Sequence, residues 1–211
     1  MKRITGIKII IAFLLLLAAT IIILITTEKP KETLYDMENS PPYRQKGNTK
    51  AKILIIEYSD FACPACAAAN NYINNLIKYF GDDFNVNFKH YPLTSIHPYS
   101  FNAAVWTECV GKEYNKFWEF SDILFNKRLE WWDKKDYSKL FKAYAAEIGI
   151  DDKKITKCLG NSDAIDLVKK DMENGDKFKV DSTPTFFVNG RRAVGMMELI
   201  EEIKKEKQGG L

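Results

Sequence analysis

The sequence predicts an α/β domain in which a block of helices interrupts a small sheet. Three observations carry that expectation. An apolar run, Ile53 to Ile56, leads into Cys63-Pro64-Ala65-Cys66 and the start of a helical pattern. Asn85 to Tyr91 alternates as a second strand, which completes a β-α-β unit and implies a parallel pair. Far along the chain, Asn189-Gly190 stands between two short β-prone runs, a strong hairpin signal, and helical periodicity fills the distance between the two regions.

Taken in order, the 211 residues open with a basic stretch, residues 1–8, that carries Lys2, Arg3 and Lys8. An apolar run from Ile9 to Ile25 follows, broken only by Thr20. With Thr26 and Thr27 it would span about 28 Å as a helix, close to a bilayer core. Ala18 and Ala19 lie inside the run rather than beyond it, which favours an uncleaved transmembrane signal anchor, residues 9–27, over a cleaved signal peptide. The three basic residues belong on the inner side of the membrane, so the rest of the chain is expected outside the cytoplasm. They also account for the whole formal charge of +3. A balanced remainder gives no electrostatic reason to expect nucleic acid as a partner. Residues 28–50 are polar, contain Pro30, Pro41 and Pro42, and read as a tether, with an extra strand at Thr33-Leu34-Tyr35 as the alternative.

The folded domain is expected over residues 51–205. Ala51 to Tyr58 is a near-continuous apolar strand, as for a sheet covered on both faces. The helix after Cys63 places Tyr72, Ile73, Leu76, Ile77 and Phe80 on one face and ends at Gly81. Helical stripes then recur through Phe101, Val105 and Cys109, through Phe117, Phe120, Ile123 and Leu124, and through Leu140, Phe141, Tyr144 and Ile148. Asp151 or Asp152 is placed to cap a short helix bearing Cys158, and Ser162 the next. Trp131 and Trp132 read as packing residues in a connecting segment. Thr185 to Val188 and Arg191 to Val194 form the hairpin, and Met196, Leu199, Ile200 and Ile203 face one side of a last helix, before a tail at 206–211. This order, β-α-β, helices over about 97–177, then β-β-α, is a thioredoxin-like fold with a helical insertion.

Two cysteines separated by two residues, where a strand gives way to a helix, read as a redox pair. Pro64 suits the first helical position, which makes Cys63 the N-cap and aims its sulfur at the unpaired N–H groups of the helix start. That location favours the thiolate, the reactive form. At roughly 1 kcal/mol of helix-terminus effect the dipole alone changes the acidity of a thiol by less than about tenfold, so a larger effect needs other groups. Cys66, one turn inward, is the candidate resolving thiol. A zinc site would need a second cysteine or histidine knuckle at suitable spacing, whereas Cys109 and Cys158 stand apart and the histidines are His90 and His97. Neither a metal nor a cofactor beyond the Cys63–Cys66 pair is expected.

Glu57-Tyr58-Ser59-Asp60-Phe61-Ala62-Cys63-Pro64-Ala65-Cys66, Phe117-Trp118-Glu119 and Thr183-Pro184-Thr185-Phe186-Phe187-Val188-Asn189-Gly190 together resemble the DsbA-like thiol:disulfide oxidoreductases. The resemblance runs from about Ala51 to Lys205. It implies an enzyme that oxidises paired cysteines of exported proteins through a mixed disulfide at Cys63. It makes Pro184 the family's cis-proline, with Thr183, Pro64 and Ala65 beside the substrate, and Glu57 the buried acid that relays a proton to or from Cys66. Lys89 on the next strand is a candidate partner for Glu57. It also implies a second, structural disulfide between Cys109 and Cys158, the alternative being two separate buried thiols. Ala65 departs from the histidine of the family's best-known oxidants and implies a weaker oxidant here.

The apolar run implies a single-pass protein tethered to membrane lipid, and a tether that shows no dimerisation segment favours a monomer; the resemblance implies re-oxidation by a quinone-linked membrane partner of the DsbB or VKOR kind. Two competing readings remain at this stage. One is an isomerase or reductase whose pair is kept reduced. The other is a holdase that only binds extended peptides, although binding alone would need neither thiol.

Overall fold

The computed structural model describes residues 40–209. The expected anchor at 9–27 and most of the expected tether lie outside them. Among the described residues a five-stranded sheet forms from β1 (Gln45–Gly47), β2 (Ile53–Ser59), β3 (Phe84–His90), β4 (Thr185–Val188) and β5 (Arg191–Val194), in the spatial order β1-β3-β2-β4-β5. β2 and β3 run parallel, and the other neighbours pair antiparallel. The connection between β2 and β3 is α1 (Pro64–Phe80), as the β-α-β pattern required. Asn189 and Gly190 both have positive φ, 45° and 86°, the backbone that a two-residue hairpin asks for. Asn189 also ties this turn to β2, its Oδ1 accepting from the Leu54 N–H at 2.8 Å.

Six helices fill the insertion: α2 (Ser100–Tyr114), α3 (Phe117–Asn126), α4 (Arg128–Trp131), α5 (Tyr137–Glu147), α6 (Asp152–Leu159) and α7 (Ser162–Lys177). The last helix, α8 (Gly195–Gln208), lays Leu199 and Ile203 against the sheet, where they join Ile55, Ile73, Val86, Phe186 and Val188 in one core. A second core gathers Phe61, Phe88, Phe117, Phe120, Phe125, Trp131 and Phe141 between sheet and insertion. Trp131 is a packing residue, its indole N–H donating to the Leu124 carbonyl at 2.9 Å. Asp151 caps α6 by accepting from the Lys153 N–H, but Asn161, not Ser162, caps α7.

The domain boundary at Ala51 needs correction. Residues 40–50 are part of the domain, not tether. Pro42–Arg44 forms a 3-10 turn and β1 pairs with β3, so the sheet gains an edge strand. Gly111 on α2 makes room for that turn, since a Cβ there would stand 2.5 Å from the Tyr43 ring. Arg44 is buried and its guanidinium meets Asp171 of α7 and, at 2.9 Å, Glu108 of α2. Glu108 in turn accepts from Tyr43 and faces His90 at 2.9 Å. Buried carboxylates require such partners, and the polar composition of residues 28–50 concealed the one that supplies them.

Candidate active site

β2 delivers the site. Its residues alternate between the two faces of the sheet, so Glu57 and Ser59 project one way and Tyr58 the other. The chain then turns at Asp60, whose buried carboxylate accepts from the N–H groups of Ala62 (2.7 Å) and Leu93 (2.8 Å) and faces His97 Nδ1 at 2.8 Å. The Asp60 carbonyl accepts from the Cys63 N–H at 3.0 Å. The carboxylate and carbonyl of one residue thus fix the turn that presents the cysteine pair and pin the 91–99 loop beside it. The residues alone did not reveal this arrangement. An acid three positions before Cys63 and one of two histidines were its visible traces.

Cys63 is the N-cap of α1 with extended backbone (φ −78°, ψ 125°), and Pro64 occupies the first helical position, as expected. Pro64 and Ala65 are exposed at the mouth, Cys63 is 7% exposed, and Cys66 is fully buried. Both are free thiols in this structure. The Cys63 thiol is lowered to about 6, chiefly by the hydrogen bond from the Cys66 thiol. Burial opposes this, while the N–H groups of Cys66 and Ala65 and the Thr183 side chain assist. The Cys66 thiol moves the opposite way, well above its ordinary value, first because it is buried and then because Cys63 competes for the same hydrogen bond. The two cysteines are therefore chemically unequal: one is ionised near neutrality, the other held protonated.

The peptide bond between Thr183 and Pro184 is cis, and the Cys63 thiol donates to the Thr183 carbonyl at 3.4 Å. The structure thus brings Cys63, Cys66, Thr183 and Pro184 together. Glu57 is buried on β2, 2% exposed, and its Oε1 has no hydrogen-bond partner. Burial pushes its carboxyl up to about 7, and the Ser59 hydroxyl and Lys46 ammonium pull it partly back.

Lys89 does not stand on the face expected of it. Glu57 pairs with Phe88, whereas Lys89 pairs with Tyr58 on the opposite face, where its ammonium lies 3.5 Å from Asp171. Cys109 of α2 and Cys158 of α6 form a disulfide, so the alternative of two separate thiols is set aside.

A family model described as Thioredoxin matches residues 39–205. BdbD of Bacillus subtilis, solved in its oxidised form, is 25% identical, with a TM-score of 0.67 over 79% of this chain and 91% of that one. The thiol-disulfide exchange protein alpha-DsbA2 of Wolbachia pipientis shares the fold with a TM-score of 0.69, over 84% of this chain and 90% of that one, at 18% identity. Among curated proteins, Na(+)/H(+) antiporter NhaA 1 of Mycobacterium sp. (strain KMS) is 31% identical over 166 residues, which cover 78% of this chain and 26% of the antiporter. The chain spans about a quarter of the length of the curated relatives it matches. The family match reaches back over β1 and forward into α8, and it encloses the Cys63–Cys66 pair. The chain therefore belongs to the thioredoxin family, and its fold is that of the DsbA-type thiol-disulfide exchange proteins.

Proposed function

We propose that this protein is a membrane-tethered, extracytoplasmic thiol:disulfide oxidoreductase that introduces disulfides into exported proteins. The observation that carries this reading is the inequality of the two cysteines, with the acidic one at the mouth beside the Thr183 carbonyl. In the oxidised enzyme a client thiolate attacks Cys63 Sγ, the Cys63–Cys66 bond breaks, and Cys66 departs as a thiolate. Glu57 in its acid form supplies the proton that Cys66 then takes. A second client thiolate attacks the client sulfur of the mixed disulfide and expels Cys63 as a thiolate. Two electrons have then passed from the client dithiol to the enzyme, and a quinone-linked membrane partner of the DsbB or VKOR kind would remove them.

Client recognition is supported by the surface around the mouth. Ile96, Leu129 and Met197 are exposed at 61%, 72% and 79%. Each neighbours a contact to the active-site segments: His97 on Asp60, Arg128 on the Ala62 carbonyl, and the Gly195 N–H on the Pro184 carbonyl. Exposed apolar side chains on the segments that touch the site would suit unfolded clients. The apolar run Ile9 to Ile25, behind Lys2, Arg3 and Lys8, supports the tether.

One observation favours a second reading, a reductase or isomerase. A thiol at about 6 lies nearer thioredoxin, about 7, than the strongest oxidants, about 3.5. Equilibration of the Cys63–Cys66 disulfide with glutathione decides between them. The oxidase requires a potential on the oxidising side of about −200 mV, and a value near −270 mV transfers the assignment to the reductase. In refolding of a reduced, multi-disulfide client, Cys63→Ser is expected to abolish turnover; an unaltered yield would leave only peptide holding.

A further inference from the structure

We infer that Lys46, on the edge strand β1, is a positioning residue for the resolving half of the redox reaction: its ammonium keeps the buried Glu57 as a carboxylate able to take the proton of Cys66. This rests on the reading of Cys63 and Cys66 as a thiol:disulfide centre and adds a residue to it.

Register places the two groups. Lys46 pairs with Val86 on β3, and Glu57 pairs with Phe88, two residues further along the same strand. Residues two apart on a strand share a face, so Lys46, Val86, Phe88 and Glu57 all project toward α1 and α3. Trp118 of α3 covers this patch. Its ring lies 6.0 Å from that of Phe88, and its indole N–H donates to the Gln45 carbonyl at 3.3 Å. The Lys46 stem rises along the indole, with Nζ 4.3 Å from the ring centroid, and Nζ donates to Asn74 Oδ1 at 2.5 Å. Asn74 and the buried Asn70 both donate to Asp122 Oδ1, at 2.8 and 2.7 Å.

The lysine is thus held between a hydrophilic cluster on α1 and α3 and the buried acid on β2. The charged groups acting on it are Asp122 and Glu119 from α3 and Glu57 from β2; β3 and β4 contribute Val86, Phe88 and Phe186. Burial pushes the Lys46 ammonium below its ordinary value, and Asp122, Glu57 and Glu119 pull it back in that order. Lys46 in turn draws Glu57 down from where burial alone would leave it. No direct ion pair is needed, because a charge acts at longer range through an interior of low dielectric than through water.

During re-oxidation the consequence is specific. With Cys63 joined to a partner sulfur, the Cys66 thiol gives its proton to the Glu57 carboxylate. The Cys66 thiolate attacks Cys63 Sγ, the bond to the partner breaks, and the partner leaves as a thiolate. Removing the Lys46 charge leaves Glu57 protonated over more of the neutral range and slows that step.

The test follows the release of glutathione from a Cys63–glutathione mixed disulfide of the full-length chain as a function of pH. Lys46→Met keeps the stem against Trp118, and Lys46→Gln is the second variant should Met fold poorly. The expected result is a profile moved up by about one pH unit and release slowed about fivefold at pH 7. Lys46→Arg restores the profile, and Lys46→Met changes nothing in a Glu57→Gln background. An unmoved profile, or a shift that persists without Glu57, overturns the proposal. Carbon NMR titration of the Glu57 carboxyl reads the same effect without turnover. If no glutathione is released by any form, the thiol:disulfide reading fails, while the NMR midpoint still decides whether Lys46 governs Glu57.

Discussion

At the scale of single residues, the site is a set of unequal acids. Cys63 is acidic because hydrogen bonds converge on its sulfur, burial holds Cys66 protonated, and Glu57 is raised to about 7, where it can give or take a proton. Glu57 has a cost that the proposed proton relay would explain. Its carboxyl titrates near 7 in the folded protein against an ordinary 4.5, so the native state binds that proton more tightly than the unfolded chain does. The resulting stabilisation is complete below pH 4.5 and is lost as pH rises through 7. At about 1.4 kcal/mol per pH unit its upper bound is about 3 kcal/mol. Glu57→Gln is therefore expected to be more stable than the parent by about 1–3 kcal/mol at pH 8, with the gap closing toward pH 5, as read by urea unfolding across pH. Cys63 and Cys66 were visible in the sequence because their chemistry follows from spacing at one strand–helix junction, whereas Glu57 was picked out only by the family resemblance. Lys46 was not, since a three-residue strand has no periodicity, and Lys89 was misassigned because a one-residue offset puts a side chain on the other face.

At the scale of elements, the helical insertion is stitched at two places. One is the Cys109–Cys158 disulfide, which joins α2 to α6 across a sequence separation of 49. In the chain-entropy model a loop of that length is worth about 4 kcal/mol, and often less in practice. Replacing both cysteines with alanine is expected to lower unfolding stability by about 2–4 kcal/mol. The ultraviolet titration of the Cys63 thiolate should keep its midpoint near 6, since neither cysteine is among the groups acting on that sulfur. The other stitch is the Pro42–Arg44 turn, seated where Gly111 leaves space. Helices α2, α3, α5 and α8 were legible because each carries an apolar stripe at helical spacing. The turn and β1 were not, because a buried arginine reads as surface until its two carboxylates, on distant helices, are brought to it.

At the scale of the whole molecule, the thioredoxin-like order with its insertion was legible from three motifs in sequence, and the family match over residues 39–205 agrees with it. The start of the domain was not. A chain beginning at Ser40 retains Arg44, whereas one beginning at Ala51 leaves Glu108 and Asp171 without their guanidinium. Stranding buried charges in this way costs about 3–5 kcal/mol. The shorter chain is expected to be far less stable than the longer one, or unfolded, by circular dichroism and thermal melting. Both outer strands of the sheet are short, three and four residues. The farther one carries Arg191, paired with Glu202 and Glu206, and Arg192, which meets Asp181. Brief, arginine-bearing margins are poor templates for strand accretion. Under the proposed function, such margins would spare a catalyst of unfolded polypeptides from nucleating the aggregates its clients are prone to form.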